Sequence, residues 1–281
     1  MTLYIVATPI GNKDDMSLRA IETLRSVDRI YAEDTRHSSV LLRHHGIATP
    51  TVSLHEHNEE QRMASVVAFL DAGNSAALIS DAGTPLISDP GYKLVGACID
   101  AGLTVCPIPG ASALTAALSV SGLPTDRFTF VGFPPAKESA RAQWLSSLAT
   151  TNHTLIMYEA RHRIVATLQA IEAACGAQRK ACVAREITKR FETIHHGSVA
   201  DIRERISGDE LQQKGEFVIA LAGHKASADD ANLDKVKQAL EVLLPHMPIK
   251  VAVKCVVELL GVPRKAAYDL AVQLRNDDSS E

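Results

Sequence analysis

Several short stretches of this sequence combine side chains that can move protons or hold charged ligands. Glu33-Asp34-Thr35-Arg36-His37 offers carboxylates and an imidazole, which can act as general bases, beside a guanidinium suited to phosphate. Arg185-Glu186-Ile187-Thr188-Lys189-Arg190 is a second mixed cluster. Such runs are commonly solvated faces or local ion pairs. Here each directly follows an apolar run of strand type, which favours a functional reading. His55-Glu56-His57-Asn58 puts two imidazoles on one face of a strand end. A metal site needs a third or fourth ligand at recognisable spacing, and none stands out, so no metal is expected. The stretch reads better as a polar rim that hydrogen-bonds a substrate.

The elements that must position these groups follow from the apolar runs. The organising stretch runs from Ala76 to Tyr92. Ala76 to Ile79 reads as a buried strand, and Ser80-Asp81-Ala82-Gly83-Thr84-Pro85 is small enough for backbone to approach a ligand. Asp89 is expected to cap the next helix and Pro90 to start it. Leu3 to Ala7, Arg29 to Ala32, Thr51 to Leu54 and Leu103 to Pro107 are further strands. Ser17 can cap a helix through Leu18, Ile21 and Leu24; other helices carry Met63 to Leu70, Leu94 to Ile99, and an Ala/Leu-rich run to about Val120. Alternation of strand and helix predicts a parallel sheet covered on both faces, with ligand-binding loops at the carboxyl ends of its strands.

Gly122 to Asp126 reads as a linker into a second α/β domain with a mixed sheet. Its strands are placed at Phe128 to Phe133, Thr154 to Tyr158, Lys180 to Ala184 and Phe217 to Leu221. Its helices run from a cap at Ser139 through Leu148, and over Ile164 to Ala174. Beyond Gly223, Ala226 to Ala231 is small and polar, hence a linker, and Asn276 to Glu281 is a short polar end. Between them lie three helices, Leu233 to Leu244, Ile249 to Leu260 and Arg264 to Leu274, the last two joined by Gly261-Val262-Pro263 in a helix-turn-helix-like arrangement. The expected division is 1–122, 123–224 and a helical tail at 225–281. The tail reads either as a nucleic-acid contact or as a small helical cap with ordinary surface lysines.

Bulk properties narrow the function. With 29 basic and 33 acidic residues the formal net charge is −4, which argues against a generally cationic nucleic-acid binder without excluding local patches. Five cysteines without a Cys-x-x-Cys pair indicate reduced thiols and a cytoplasmic location. The start lacks a signal peptide's basic and apolar regions, and no uninterrupted run approaches a membrane span. A P-loop, a dinucleotide fingerprint and a serine nucleophile elbow are all absent, so the loops suit a ligand without a pyrophosphate.

Taken in order, Leu3 to Asn12, Ala32 to His37, Leu54 to Asn58, Ser80 to Gly91, Ile108-Pro109-Gly110, Tyr158-Glu159 with Arg161 to Arg163, Ala184-Arg185-Glu186 with Thr188-Lys189, and Lys214-Gly215-Glu216 resemble the tetrapyrrole methylase fold family. The resemblance is closest to its members that methylate ribosomal RNA. It implies two α/β domains with S-adenosylmethionine in the cleft between them, and a homodimer. It also implies methylation of a cytidine 2′-hydroxyl in the decoding centre of 16S rRNA, within the small ribosomal subunit. Carried over, the cofactor contacts are Pro9, Ile10, Asp81, Gly83, Thr84, Ile87, Ala111, Ser112, Met157 or Tyr158, and the segment near Ala220. Glu33, Asp34, His55 and Glu159 are candidate bases for the hydroxyl proton. Arg36, Arg161, Arg185 and Lys189, with Lys250, Arg264 and Lys265 of the tail, are candidates for holding RNA backbone. A methyltransferase acting on a tetrapyrrole or another small molecule, and a non-catalytic rRNA- or nucleotide-binding module, are the alternatives, because fold does not fix function.

Overall fold

The structure is a computed structural model that describes residues 1–224 and 228–277. Residues 226–227 of the expected linker and 278–281 of the polar end lie outside the described residues. One compact unit spans Met1–Gly223, and a second spans His224–Glu281.

In the first unit, β1 (Thr2–Val6), β2 (Arg29–Ala32), β3 (Thr51–Ser53), β4 (Ala76–Ile79) and β5 (Thr104–Ile108) form an all-parallel sheet in the order β3-β2-β4-β1-β5. Along β4, Ala77 and Ile79 face one core while Ala76 and Leu78 face the other. Burial on both faces is why this strand reads as an unbroken apolar run. Helices α1 (Leu18–Ser26) and α2 (Thr35–His44) cover one face through Leu24 and Leu42. Helices α3 (Glu59–Asp71) and α4 (Tyr92–Asp100) cover the other through Leu70, Leu94 and Cys98. Ser17 caps α1 as expected, its hydroxyl accepting from the Ala20 amide.

A second, mixed sheet contains β6 (Phe128–Phe130), β7 (Thr154–Ala160), β8 (Lys180–Arg185), β9 (Thr193–Ser198) and β10 (Glu216–Leu221), in the order β6-β7-β10-β8-β9. Only β6 and β7 pair in parallel. Helices α6 (Glu138–Leu148), α7 (Ile164–Cys175) and α8 (Val199–Ser207) close one face around Leu145, Leu168 and Ile202. The other face receives α5 (Ala113–Val120), which follows the last strand of the first sheet. Its Ala117 and Leu118 pack on Ile156, Cys182, Ala184, Val218 and Ala220. This helix therefore belongs to one sheet by sequence and to the other by packing.

The sequence expectations need correction at several points. The edge strand β9 and the helix α8 are additional elements. Strand β9 carries Thr193, His195, His196 and Ser198, so it has no apolar run. Helix α8 does carry a start signal, a capping box between Ser198 and Asp201. Ser139 is not a cap; α6 begins at Glu138 after Lys137. Asp89 does not cap α4 either, because Gly91 occupies that position at φ 120° and the helix starts at Tyr92.

The second unit is helical: α9 (Ala228–Leu243), α10 (Ile249–Leu260) and α11 (Arg264–Asp277) bury Val236, Leu240, Val253, Val256, Ala267 and Ala271 together. Helix α9 begins within the stretch expected to be linker. Gly261 ends α10 in the left-handed region at φ 66°, a conformation that favours glycine. Lys250, Lys254, Arg264 and Lys265 are all exposed on this unit. All five cysteines are free thiols, and among the described residues no helix is long and apolar enough to cross a membrane.

Candidate active site

A cavity of about 440 Å³ opens between the carboxyl ends of the first sheet and the α5-bearing face of the second. That volume lies within the usual range for a small-ligand site. Three loops form its floor and are tied to one another. Thr8 and Gly83 exchange backbone hydrogen bonds, Thr8 N to Gly83 O at 2.8 Å and Gly83 N to Thr8 O at 3.0 Å. The Thr8 hydroxyl donates to Ser80 O at 3.2 Å, and the Thr84 hydroxyl donates to Ala111 O at 3.1 Å. The loops after β1, β4 and β5 thus form one rigid surface. Gly83 sits at φ 85°, where a Cβ would lie 3.4 Å from Ile10 Cγ2.

Of the expected cofactor contacts, Ile10, Asp81, Gly83, Thr84, Ile87, Ser112 and Tyr158 line the cavity, while Pro9, Ala111, Met157 and Ala220 do not. Side-chain alternation decides between Met157 and Tyr158: Met157 points into the core beneath α6 and α7, Tyr158 into the cavity. Tyr158 is set among Phe130 and Phe133, at 4.8 and 5.6 Å between ring centroids. Its hydroxyl hydrogen-bonds the Ser112 side chain and the Leu114 backbone; burial, the larger effect, still pushes its pKa up. Ala220 shares that sheet face but is covered by α5. The lining is mostly apolar, with a few convergent hydroxyls and carboxylates, and fits an adenosyl group carrying a compact cation.

The candidate bases separate by their partners. Glu159 lines the cavity, yet the residue is only 2% exposed and its carboxylate is fully engaged. Its Oε1 accepts from the Ala160 amide at 2.7 Å and from Arg163 Nε at 2.9 Å, with Arg163 Nη2 at 2.7 Å; Oε2 accepts from the Thr167 hydroxyl at 2.6 Å. Such a group positions α7 against β7 and has little capacity for another proton donor. Asp34 is the N-cap of α2, accepting from the amides of Arg36 at 2.8 Å and His37 at 3.4 Å, which hold its pKa down. Its own amide donates to Asp81 Oδ1 at 3.1 Å, tying the loop after β2 to that after β4.

Asn58 fixes the His55 ring. Asn58 Oδ1 accepts from the His55 amide and Nδ2 donates to Ser53 O, so Nδ2 also donates to His55 Nε2 at 3.2 Å. Nε2 is then the acceptor, and the proton of the neutral ring resides on Nδ1, which is buried without a partner among the described residues. In that tautomer neither ring nitrogen is open to a substrate proton, since Nε2 is engaged by Asn58 and the buried Nδ1 already carries one. Glu33 is the one expected base in the cavity lining whose carboxylate is not saturated, and burial, then the nearby Asp81 charge, raise its pKa.

Asp89 is a cavity residue that sequence reasoning misassigned. It lines the site, and its pKa is pushed up to about 6 by burial, against a hydrogen bond from Ser80 and with added repulsion from Glu33 and Asp81. The only sequence signal was a carboxylate in the loop after a buried strand; its direction depends on left-handed backbone at Leu86 and Ser88.

The expected RNA-contacting residues also divide. Arg36 and Arg161 are exposed. Arg185 is 7% exposed, and its guanidinium donates to Lys214 O, Phe191 O and Leu211 O at 2.7, 2.8 and 2.8 Å. It braces two loops and is not available to a phosphate. Lys189 reaches the cavity wall while paired with Glu186 at 3.0 Å and Glu216 at 2.8 Å. Among the described residues no group of three His, Cys, Asp or Glu side chains is arranged to hold a metal ion.

This arrangement of two sheets around a donor-sized cavity is that of a known class. A model of the tetrapyrrole (corrin/porphyrin) methylases matches residues 2–203, and the chain belongs to that family. Solved structures with the same fold include cobalt precorrin-4 methyltransferase (TM-score 0.58, 16% identity) and uroporphyrin-III-C-methyltransferase from Thermus thermophilus (TM-score 0.56, 17% identity). Each covers 79% of this chain and 94% of its own. Within the family, the chain is 51% identical to a protein of Xylella fastidiosa strain Temecula1 named ribosomal RNA small subunit methyltransferase I, over 95% of this chain and 97% of that one. Proteins of the same name from Escherichia coli O157:H7 and Synechocystis are each 45% identical, over 96% and 98% of this chain and 94% and 99% of theirs. A model described as the RsmI C-terminal HTH domain matches residues 229–275.

Proposed function

We propose that this protein transfers a methyl group from S-adenosylmethionine to the 2′-hydroxyl of a cytidine in the decoding centre of 16S rRNA. The single observation that carries this reading is the extent of similarity. The relatives named for small-subunit rRNA match both compact units, whereas the tetrapyrrole enzymes match 79% of the chain. A small-molecule methyltransferase has no evident use for the second unit, whose exposed Lys250, Lys254, Arg264 and Lys265 suit a phosphate backbone.

In this reading Ile10, Gly83, Thr84, Ile87, Ser112 and Tyr158 hold the donor, which supplies a methyl carbon activated by a positively charged sulfur. Charge is lost at that sulfur as the methyl leaves, so a dry and rigid cavity helps the reaction while positioning both partners. The tied loops after β1, β4 and β5 supply the rigidity, and the carboxylates of Glu33 and Asp81 attract the sulfonium. Arg36 and Arg161, exposed in the first unit, are assigned to the RNA backbone.

The test is direct. A 2′-O-methylated ribose blocks alkaline cleavage at its own 3′ phosphate. Small subunits from cells lacking the gene, incubated with this protein and S-adenosylmethionine, are expected to gain one protected cytidine. Absence of protection, with methylation of a tetrapyrrole instead, would favour the small-molecule reading. Donor binding without any methylation would favour the binding module.

The tail makes a separate prediction. Charge reversal of Lys250, Lys254, Arg264 and Lys265 to Glu in the full chain is expected to weaken small-subunit binding at least 10-fold and to flatten its salt dependence. Affinity for the donor should change less than twofold. Equal loss of both, measured by calorimetry and filter binding, would recast the tail as a structural brace.

A further inference from the structure

We propose that Asp89 is the group that takes the acceptor's hydroxyl proton as the methyl is transferred. The proposal deepens the methyltransferase reading and rests on it. Five acidic residues line one cavity: Glu33, Asp81, Asp89, Glu159 and Glu216. Glu159 is saturated by Ala160, Arg163 and Thr167. Glu216 holds Lys189. Asp81 accepts the Asp34 amide and so fastens two loops. Glu33 accepts the Asp81 backbone amide, which joins the ends of β2 and β4. Asp89 accepts only from the Ser80 side chain among these contacts and fastens no second loop through its backbone.

Backbone geometry distinguishes Asp89 from Glu33. Leu86 and Ser88 both adopt left-handed conformations, at φ 74° and 71°, and Gly91 follows at φ 120°. Non-glycine residues seldom adopt this region, and surrounding structure must hold them there. The consequence is that the segment between Thr84 and Gly91 does not run straight into α4. It folds back so that Ile87, Ser88 and Asp89 all line the cavity. A loop that only had to join β4 to α4 has no need of two strained turns, and Asp89 at a helix N-cap would be the less costly outcome. Asp89 instead accepts a hydrogen bond from the Ser80 side chain and shares the cavity lining with Tyr158 of the second sheet, whose pKa burial raises with help from the Asp89 charge. That places a carboxylate on the wall where donor loops and opposing sheet meet.

The electrostatic setting suits the role. Glu33 from the end of β2 and Asp81 from the loop after β4 repel a charge on Asp89, while Tyr158 of β7 and Lys189 with Glu216 line the same cavity. Burial first, then the charges of Glu33 and Asp81, push its pKa up to about 6 against the lowering hydrogen bond from Ser80. A carboxylate of that basicity is ionised at neutral pH yet accepts a proton far more readily than an ordinary aspartate. In the step itself the ribose oxygen bonds to the methyl carbon, the sulfur–carbon bond breaks with its electron pair staying on sulfur, and the hydroxyl proton passes to an Asp89 oxygen. Solvent then removes that proton. The products are a methyl ether and a neutral thioether.

Single-turnover methylation of small subunits between pH 5 and 8, beside calorimetric donor binding, tests this with the intact protein. Asp89→Asn is expected to slow methyl transfer 100-fold or more at pH 7.5 and to abolish the rise of rate through pH 6, leaving the donor Kd within threefold. Asp89→Glu, which restores a carboxylate, is expected to recover at least 10-fold over Asp89→Asn and to shift the acid limb. The proposal is overturned if Asp89→Asn keeps the wild-type rate, or if its acid limb persists unmoved. A loss of donor affinity as large as the loss of rate also overturns it, because Asp89 would then bind the donor. Should Asp89→Asn not fold, an Asp89→Glu profile identical to wild type is the overturning result. Wild-type protein that binds the donor but methylates no RNA is a different failure, that of the parent reading.

Discussion

Gly83→Asp is expected to reduce affinity for S-adenosylmethionine at least 100-fold while leaving the melting temperature within a few degrees. Gly83 sits at φ 85°, a region that side chains other than glycine's strain to occupy. A Cβ there would already touch Ile10 Cγ2 at 3.4 Å and Ala111 O at 3.8 Å, so the carboxylate beyond it is expected to extend into the space that the donor needs. The residue also exchanges two backbone hydrogen bonds with Thr8, and displacement of one loop therefore displaces the next. Pro85→Arg should act on the same loop by adding bulk and removing its stiff φ. Calorimetric titration of the donor reads the effect. A Gly83→Asp protein that binds as tightly as wild type places the donor somewhere other than on these three loops.

Glu159→Ala is expected to do the opposite, lowering stability sharply while sparing the chemistry. Its side chain is fully buried and its carboxylate receives the Ala160 amide, the Thr167 hydroxyl and the Arg163 guanidinium. Removal strands a half-buried arginine and two donors inside the second sheet. Breaking one partner of such a buried pair costs about 3–5 kcal/mol. For a unit of this size that corresponds to a fall of roughly 10 °C in Tm. Methyl transfer per folded molecule, measured well below the transition, should stay within about 10-fold of wild type, below the 100-fold typical of losing a general base. A variant with unchanged Tm and a rate reduced 1,000-fold would return Glu159 to the list of bases.

A milder consequence follows for Asp89. Its pKa in the folded protein is about 6, above its unfolded value, so the charged form is disfavoured by folding. The favourable contribution of this group is complete below the unfolded pKa and is lost as pH rises through about 6. Asp89→Asn should therefore raise Tm relative to wild type by more at pH 7.5 than at pH 4, the pattern of a site where function opposes stability. Differential scanning calorimetry at the two pH values checks the sign; an equal Tm change at both would remove the linkage.

Where local patterns carry the information, the reading from sequence agrees with the fold. The unbroken apolar run at Ala76 to Ile79 coincides with β4, and Ile30 to Ala32 behind Arg29 with β2, because strands of a parallel sheet bury both faces. Small residues after β4 marked the loop that lies at the cavity floor, and Ser17 marked the start of α1. Strand β9 left no such mark, since an edge strand buries little and here only His195 is buried along it.

By itself, then, the sequence determined the alternation of strands and helices, the family, and which loops would gather at the carboxyl ends of the parallel strands. Only the tertiary structure decided which charged side chains are free to act. Arg185 and Lys189 are neighbours in one cluster, yet the first is consumed by carbonyls of Lys214, Phe191 and Leu211, and the second reaches the cavity. Glu159, a candidate base, has both carboxylate oxygens bonded to Ala160, Arg163 and Thr167, while Asp89, the expected cap of α4, lines the cavity instead. Periodicity and capping are properties of neighbours in sequence, and can be read from a short window. A side chain's remaining hydrogen-bonding capacity and its basicity depend on atoms brought from dozens of residues away, and these exist as neighbours only after the chain has folded.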